Sequence, residues 1–175
     1  MFEDYLEDAA YFAAKVKNST DPQQTSRYSR ASIFHTMGAI EAFINYIGDT
    51  FAQSNVYEAY EIAFLTDYRF GFNNTSFDII TQVEYHRIED KIRFLITKFI
   101  PGFDFEHNKD WCQLLQFKKF RDLITHPRQN ALDISPNDYI KNAKLGLNSV
   151  IGIIDSLCRG IFDRPLRKRL TDLLS

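Results

Sequence analysis

Arg121 and His126 are the two side chains in this chain whose types and spacing best suit chemistry. They lie in Phe117-Lys118-Lys119-Phe120-Arg121-Asp122-Leu123-Ile124-Thr125-His126-Pro127-Arg128, with four residues between them. A guanidinium presents a planar fork of donors that fits a phosphate, and an imidazole is the side chain type that exchanges a proton near neutral pH. Together they suit chemistry at a phosphate, where charge must be stabilised and a proton moved. The spacing alone recurs by chance, and an exposed Arg and His on a helix are commonly just solvated. The elements that hold the pair therefore decide what it can do.

At about 100° per residue, Phe117, Phe120 and Ile124 share one helix face, while Lys118, Arg121, Asp122, Thr125 and His126 take the other. Pro127 should stop this helix, because a proline disfavours helical geometry in the residue before it. Asn108 is a plausible cap at its start. Trp111, Leu114 and Leu115 fall on the same side as Lys118, Arg121 and Thr125. Apolar residues leading into a cationic one predict a surface that a second protein covers. The alternative is that this upstream part packs under residues 101 to 107.

Other segments supply the framework. Phe2, Leu6, Ala9, Ala13 and Val16 mark a first amphipathic helix ending near Asn18-Ser19. Asp21-Pro22 opens a long second helix as an N-cap followed by Pro in the first turn. In it, Ile33, Met37, Ile40, Ile44, Ile47 and Phe51 form a stripe that needs a long partner helix. Glu41 and Asn45 flank that stripe. A half-desolvated carboxylate wants a partner, so Glu41 is expected to contact Arg121 or the backbone near His126, the alternative being a simple surface Glu.

Asn55 or Ser54 could cap a third helix through Tyr57, Tyr60, Phe64 and Tyr68, and Gly71 to Ser76 has the composition of a loop. From about Val83 a further helix runs through Ile88, Ile92, Leu95 and Phe99 to Pro101-Gly102. Ser135-Pro136-Asn137-Asp138 starts the long partner helix, with Ile140, Ala143, Leu147, Val150, Ile154, Leu157 and Ile161 on one stripe. Asp163-Arg164-Pro165 breaks it, and Leu166, Leu170, Leu173 and Leu174 finish in a short helix with a basic outer side. No segment reads as a strand. The expected fold is all-α, an up-and-down bundle of about six to seven helices forming a single domain over residues 1–175.

The run Arg121-Asp122-Leu123-Ile124-Thr125-His126-Pro127 resembles the motif of the HEPN superfamily (higher eukaryotes and prokaryotes nucleotide-binding): Arg, a polar residue, then His four to six positions after the Arg. Ser32 to Asn45, with its Ile40-Glu41-Ala42-Phe43-Ile44-Asn45 core, is similar to a helix of the bacterial toxin and phage-defence members. Ile88-Glu89-Asp90-Lys91-Ile92 followed by Pro101-Gly102-Phe103-Asp104 is similar to their lysine helix and Gly-Phe-Asp loop. The resemblance covers roughly residues 27 to 128 and keeps the order of these pieces. In the family the residue after the arginine is most often Asn. Here it is Asp122, which adds a negative charge beside the phosphate-binding candidate.

The resemblance implies a HEPN-like fold and a metal-independent endoribonuclease, with no cofactor, whose paired motifs meet across a homodimer interface. Arg121 and His126 would be catalytic, with Asp122, Thr125, Glu41 and Asn45 in supporting positions. A ribose 2′-hydroxyl would attack the adjacent phosphorus and leave a 2′,3′-cyclic phosphate. The family also includes members that bind RNA, nucleotides, or a partner antitoxin, toxin or nucleotidyltransferase without cutting. A purely structural dimer, with Arg121 paired to Glu41 and His126 capping its own helix, is the third reading.

Composition sets the outer bounds. A chain of 175 residues with 45% hydrophobic and 25% charged residues can form one domain that buries about 70% of its unfolded surface, which disfavours disorder. A net charge of −2 leaves no global attraction for nucleic acid, so any RNA contact must rest on local patches. Lys118, Lys119, Arg121 and Arg128 form one; Arg159, Arg164, Arg167, Lys168 and Arg169 form another. Cys112 and Cys158 are too few for a disulfide scaffold or a thiolate zinc site, and His86 and His107 lack partners at metal-ligand spacing, so no metal is expected. The acidic N-terminus is unlike a signal peptide, and no apolar run approaches a membrane span. A cytoplasmic protein without membrane contact is expected.

Overall fold

The computed structural model describes residues 1–54, 56–126 and 134–174. The described chain is mostly helical: α1 (Phe2–Lys17), α2 (Pro22–Ala52), α3 (Ala59–Leu65), β1 (Tyr68–Asn73), β2 (Ser76–Val83), α4 (Ile88–Phe99), α5 (Lys109–Thr125), α6 (Pro136–Phe162) and α7 (Lys168–Thr171), with a final 3-10 turn at Asp172–Leu174.

α2 is the axis of the molecule. Asp21 accepts a hydrogen bond from the Gln23 N–H at 2.9 Å, and Pro22 occupies the first turn, as a capped start requires. Its stripe of Ile33, Ile40, Ile44 and Ile47 is fully buried, with Met37 and Phe51 nearly so. α1 packs along one side, tied by the buried Ser32 hydroxyl donating to the Ala9 carbonyl at 2.9 Å. α6 packs along another, and its Val150, Ile153, Ile154 and Leu157 are buried in the shared core. By length and mean hydropathy α6 could cross a membrane, contrary to the expectation that no run comes close; here its apolar stripe faces the other helices.

α5 lies against α6 at short range because two glycines leave room. A Cβ at Gly146 would stand 2.3 Å from the Phe117 ring, and one at Gly152 would stand 2.2 Å from the Asp110 carboxylate. The ring of Phe117 thus fills a notch in α6.

The all-α expectation fails at residues 68–83, which form an antiparallel hairpin. α3 stops at Leu65, so Tyr68 opens β1 instead of closing a helix. Gly71–Asn73 are strand, and only Asn74 and Thr75 turn, with Asn74 at φ 55°, a left-handed conformation that Asn tolerates better than most residues. Aromatic and β-branched residues in alternation outweigh the turn-like composition. β2 then runs to Val83, and α4 begins at Ile88, later than its periodicity suggested. The cap of α3 is Glu58, whose side chain and that of Glu61 form a reciprocal capping box; Asn55 lies outside the described residues.

Candidate functional site

α5 begins where Asn108 accepts the Trp111 N–H at 2.9 Å, and it ends at His126. Phe117 is buried, and Phe120 stacks edge-on against Tyr139 of α6 at 5.7 Å. With that face fixed on α6, the opposite face turns Lys118, Arg121 and Asp122 toward α2 and α4. They line an open cleft of about 390 Å³ together with Glu41 and Asn45 of α2, Glu89 and Lys91 of α4, and residues 85 to 88 after the hairpin.

Arg121 is the centre of an ion-pair network. Its Nη2 donates to Glu41 Oε1 at 3.3 Å, and its Nη1 stands 3.1 Å from Asp122 Oδ1. Its buried Nε has no hydrogen-bond partner among the described residues. Lys118 joins from the same helix, 2.9 Å from Asp122 Oδ2 and 3.4 Å from Glu89 Oε1. Burial pulls the Lys118 ammonium down, but the hydrogen bond it donates to Asp122 and the charge of Glu89 outweigh it and hold the group above the ordinary lysine value. Burial pushes the Glu41 carboxyl above the ordinary range; Arg121 and Lys91 pull it back, while Asp122 adds to the rise.

Lys91 and Asp67 form the floor. Lys91 is buried and donates to the Leu65 carbonyl at 2.9 Å and to Asp67 Oδ2 at 2.7 Å. Asp67, at φ 58° between α3 and β1, also accepts the His86 backbone N–H at 2.9 Å, so one carboxylate clips the base of the hairpin to α4. Glu41, Asp67, Glu89 and Asp122 are matched by Arg87, Lys91, Lys118 and Arg121, leaving the cleft close to neutral.

His126 does not line this cleft. It is exposed at the end of α5, where its backbone N–H donates to the Asp122 carbonyl at 3.0 Å. The Thr125 hydroxyl donates back to the Arg121 carbonyl at 2.8 Å and so serves its own helix. Lys119 and Asn45 are exposed; Pro127 and Arg128 lie outside the described residues.

One expectation is corrected here. Trp111 and Leu114 are not a face left for a second protein: both are buried within the chain, where Trp111 packs edge-on against Phe105 at 5.3 Å under the loop at residues 101–107. In the C-terminal basic cluster Arg159 pairs with Asp155 at 2.8 Å, Arg167 with Glu3 at 3.1 Å, and Arg169 with Glu3 and Glu7.

Sequence reasoning missed Asp67, His86 and Arg87 as walls of the cleft. Their placement depends on the hairpin, and an unread hairpin cannot deliver its flanks. Lys91 carried a signal, through the lysine helix of the family resemblance, but its buried partner did not. Comparison with protein-family models, curated proteins and solved structures gives no match.

Proposed function

We propose that this chain is a metal-independent endoribonuclease of HEPN type that works as a homodimer, in a toxin or phage-defence role in the cytoplasm. The observation that carries the reading is the posture of Arg121. It leaves the solvent side of α5, is gripped by Glu41 from a second helix, and opens on a cleft beside the helix end that presents His126. A fixed guanidinium and a freely presented imidazole separate the two tasks of RNA cleavage.

In the proposed reaction the 2′-oxygen bonds to phosphorus as the P–O5′ bond breaks. His126 of one subunit takes the 2′-hydroxyl proton, and the imidazole of the other returns one to the leaving 5′-oxygen. Arg121 stabilises the charge gathered on the non-bridging oxygens. The products are a 2′,3′-cyclic phosphate and a 5′-hydroxyl.

The test incubates chelator-treated protein with a mixed RNA pool, beside the His126→Ala variant, and analyses the new ends. Cyclic-phosphate ends from the parent alone support the reading. Equal cleavage by His126→Ala, or cleavage of DNA, refutes it. A monomer in sedimentation at micromolar concentration removes the shared groove.

A second reading has its own support. Arg121 and Lys118 both contact Asp122, so a phosphate must compete with a carboxylate already in place. That favours a non-catalytic module binding RNA, a nucleotide or a protein partner, and RNA binding without cleavage would select it.

A further inference from the structure

The hairpin carries rings that the cleft does not use. Cross-strand partners Phe72 and Phe77 are 61% and 70% exposed, with ring centroids 5.5 Å apart. Phe70 stacks beside Phe77 at 6.2 Å and meets Tyr60 of α3 edge-on, also at 6.2 Å. A two-stranded ribbon gains little stability alone, and the uncovered rings of Phe72 and Phe77 add little to it, because folding leaves most of their surface in water.

The row leads inward to a slot of about 370 Å³ walled by the rings of Tyr60, Phe64, Tyr68, Phe70, His86 and Phe94, together with Ala63, Glu84 and Glu61, the last paired with Lys98. His86, tilted over Phe64 at 4.6 Å, is also a wall of the Arg121 cleft. An aromatic slot and an arginine-bearing cleft therefore share one residue as their partition. Clipping by Asp67 and Lys91 holds the two cavities in register.

We propose that the hairpin face and its slot are a stacking platform for the bases of single-stranded RNA, which it feeds across His86 toward Arg121. This rests on the RNA-directed reading above and names its substrate as unpaired. The occupant follows from the lining. Flat rings at successive positions match successive bases, because every base has a π-face, and only an unpaired strand can turn its bases outward. Bases in the slot place the adjoining phosphates on the Arg87, Lys118 and Arg121 side of the partition.

The test uses the full chain with His126→Ala, so that bound RNA stays intact, and adds Tyr60→Leu and Phe70→Leu. Leucine keeps apolar volume on the hairpin but has no ring, and unchanged thermal unfolding verifies the fold. Anisotropy of a labelled single strand of about ten nucleotides should show binding weakened by roughly five- to hundredfold. A ribose-phosphate strand lacking bases should bind both proteins equally. If the leucine variant binds the normal strand as tightly as its parent, while wild type still cleaves RNA, the platform is wrong and the nuclease reading stands. If neither protein binds RNA, both fall. If the leucine changes split a dimer in sedimentation, the rings are a contact between copies of this chain and the proposal is overturned.

Discussion

Arg121 on α5 and Glu41 on α2, eighty residues apart in the chain, meet through a 3.3 Å contact between Nη2 and Oε1. Glu41 is about half exposed, yet burial still holds its carboxyl above the ordinary range, ahead of the opposing pull of Arg121. The native state therefore keeps this proton to a higher pH than the unfolded chain does. Between the unfolded value and the raised native one the native state binds more protons, so the contribution of Glu41 to stability falls as pH rises through that window. Glu41→Gln removes the dependence. The expected effect is that the variant gains on wild type by up to about 1 kcal/mol as pH rises, a limit set by solvent screening of a half-exposed pair. Urea unfolding of both proteins from about pH 4 to about pH 8 measures it, and parallel profiles would contradict it.

Arg121→Ala and His126→Ala separate activity from fold. His126 is exposed, so its loss should change stability by no more than about 0.5 kcal/mol. Arg121 is less free, and its removal leaves Glu41 and Asp122 facing each other, for about 1 kcal/mol. Cleavage should fall by roughly 10²- to 10⁴-fold in each. Rates from gel-resolved products, set beside melting curves, check both halves. A variant that unfolds, or one that cuts at the parental rate, breaks the assignment.

The regular parts of this arrangement were legible in the sequence because single residues announce them. Asp21-Pro22, Asn108 and Ser135-Pro136 cap helices as their types require, and the isoleucine stripe of α2 does find its long partner in α6. The contact of Glu41 with Arg121 was legible for the same reason, since a carboxylate on the flank of a buried stripe must look for a cation. The hairpin was not, because Gly71 and the Asn73-Asn74 pair look like loop until Phe70, Phe72 and Phe77 are set in alternation across a turn. Trp111 and Leu114 misled because helix periodicity gives a direction but not what lies there; the covering Phe105 sits in a loop without a period.

Lys118 bridges Asp122 and Oε1 of the half-buried Glu89, whose Oε2 has no hydrogen-bond partner among the described residues. Lys118→Met keeps the aliphatic stem and removes the charge, so the expected loss is about 1–2 kcal/mol. Adding Glu89→Gln should recover part of it, a coupling of at least about 0.5 kcal/mol. Because the native Lys118 holds its proton more tightly than the unfolded chain, the stabilisation is complete below the unfolded lysine value and is lost as pH rises through the native one, above roughly pH 10. Denaturant unfolding of the four proteins of the cycle measures the coupling; strictly additive losses would mean that the ion pair is idle.

Gly146 decides how close α5 can lie to α6, and through that where Arg121 points. Ala is the better helix former by about 1 kcal/mol, so on an open helix face Gly146→Ala would stabilise the protein. Here the added methyl would stand 2.3 Å from two carbons of the buried Phe117 ring, and no rotamer of an alanine relieves that. α5 must retreat, at a cost of about 1–3 kcal/mol from overpacking. The retreat also draws Arg121 back from Glu41, so RNA cleavage should fall with the melting temperature although the mutation is on a different helix. Phe117→Leu in the same chain trims the ring and should return part of both. Melting temperature and cleavage rate for the two single variants and the double variant test this, and a Gly146→Ala protein more stable than its parent would show that the notch is not filled.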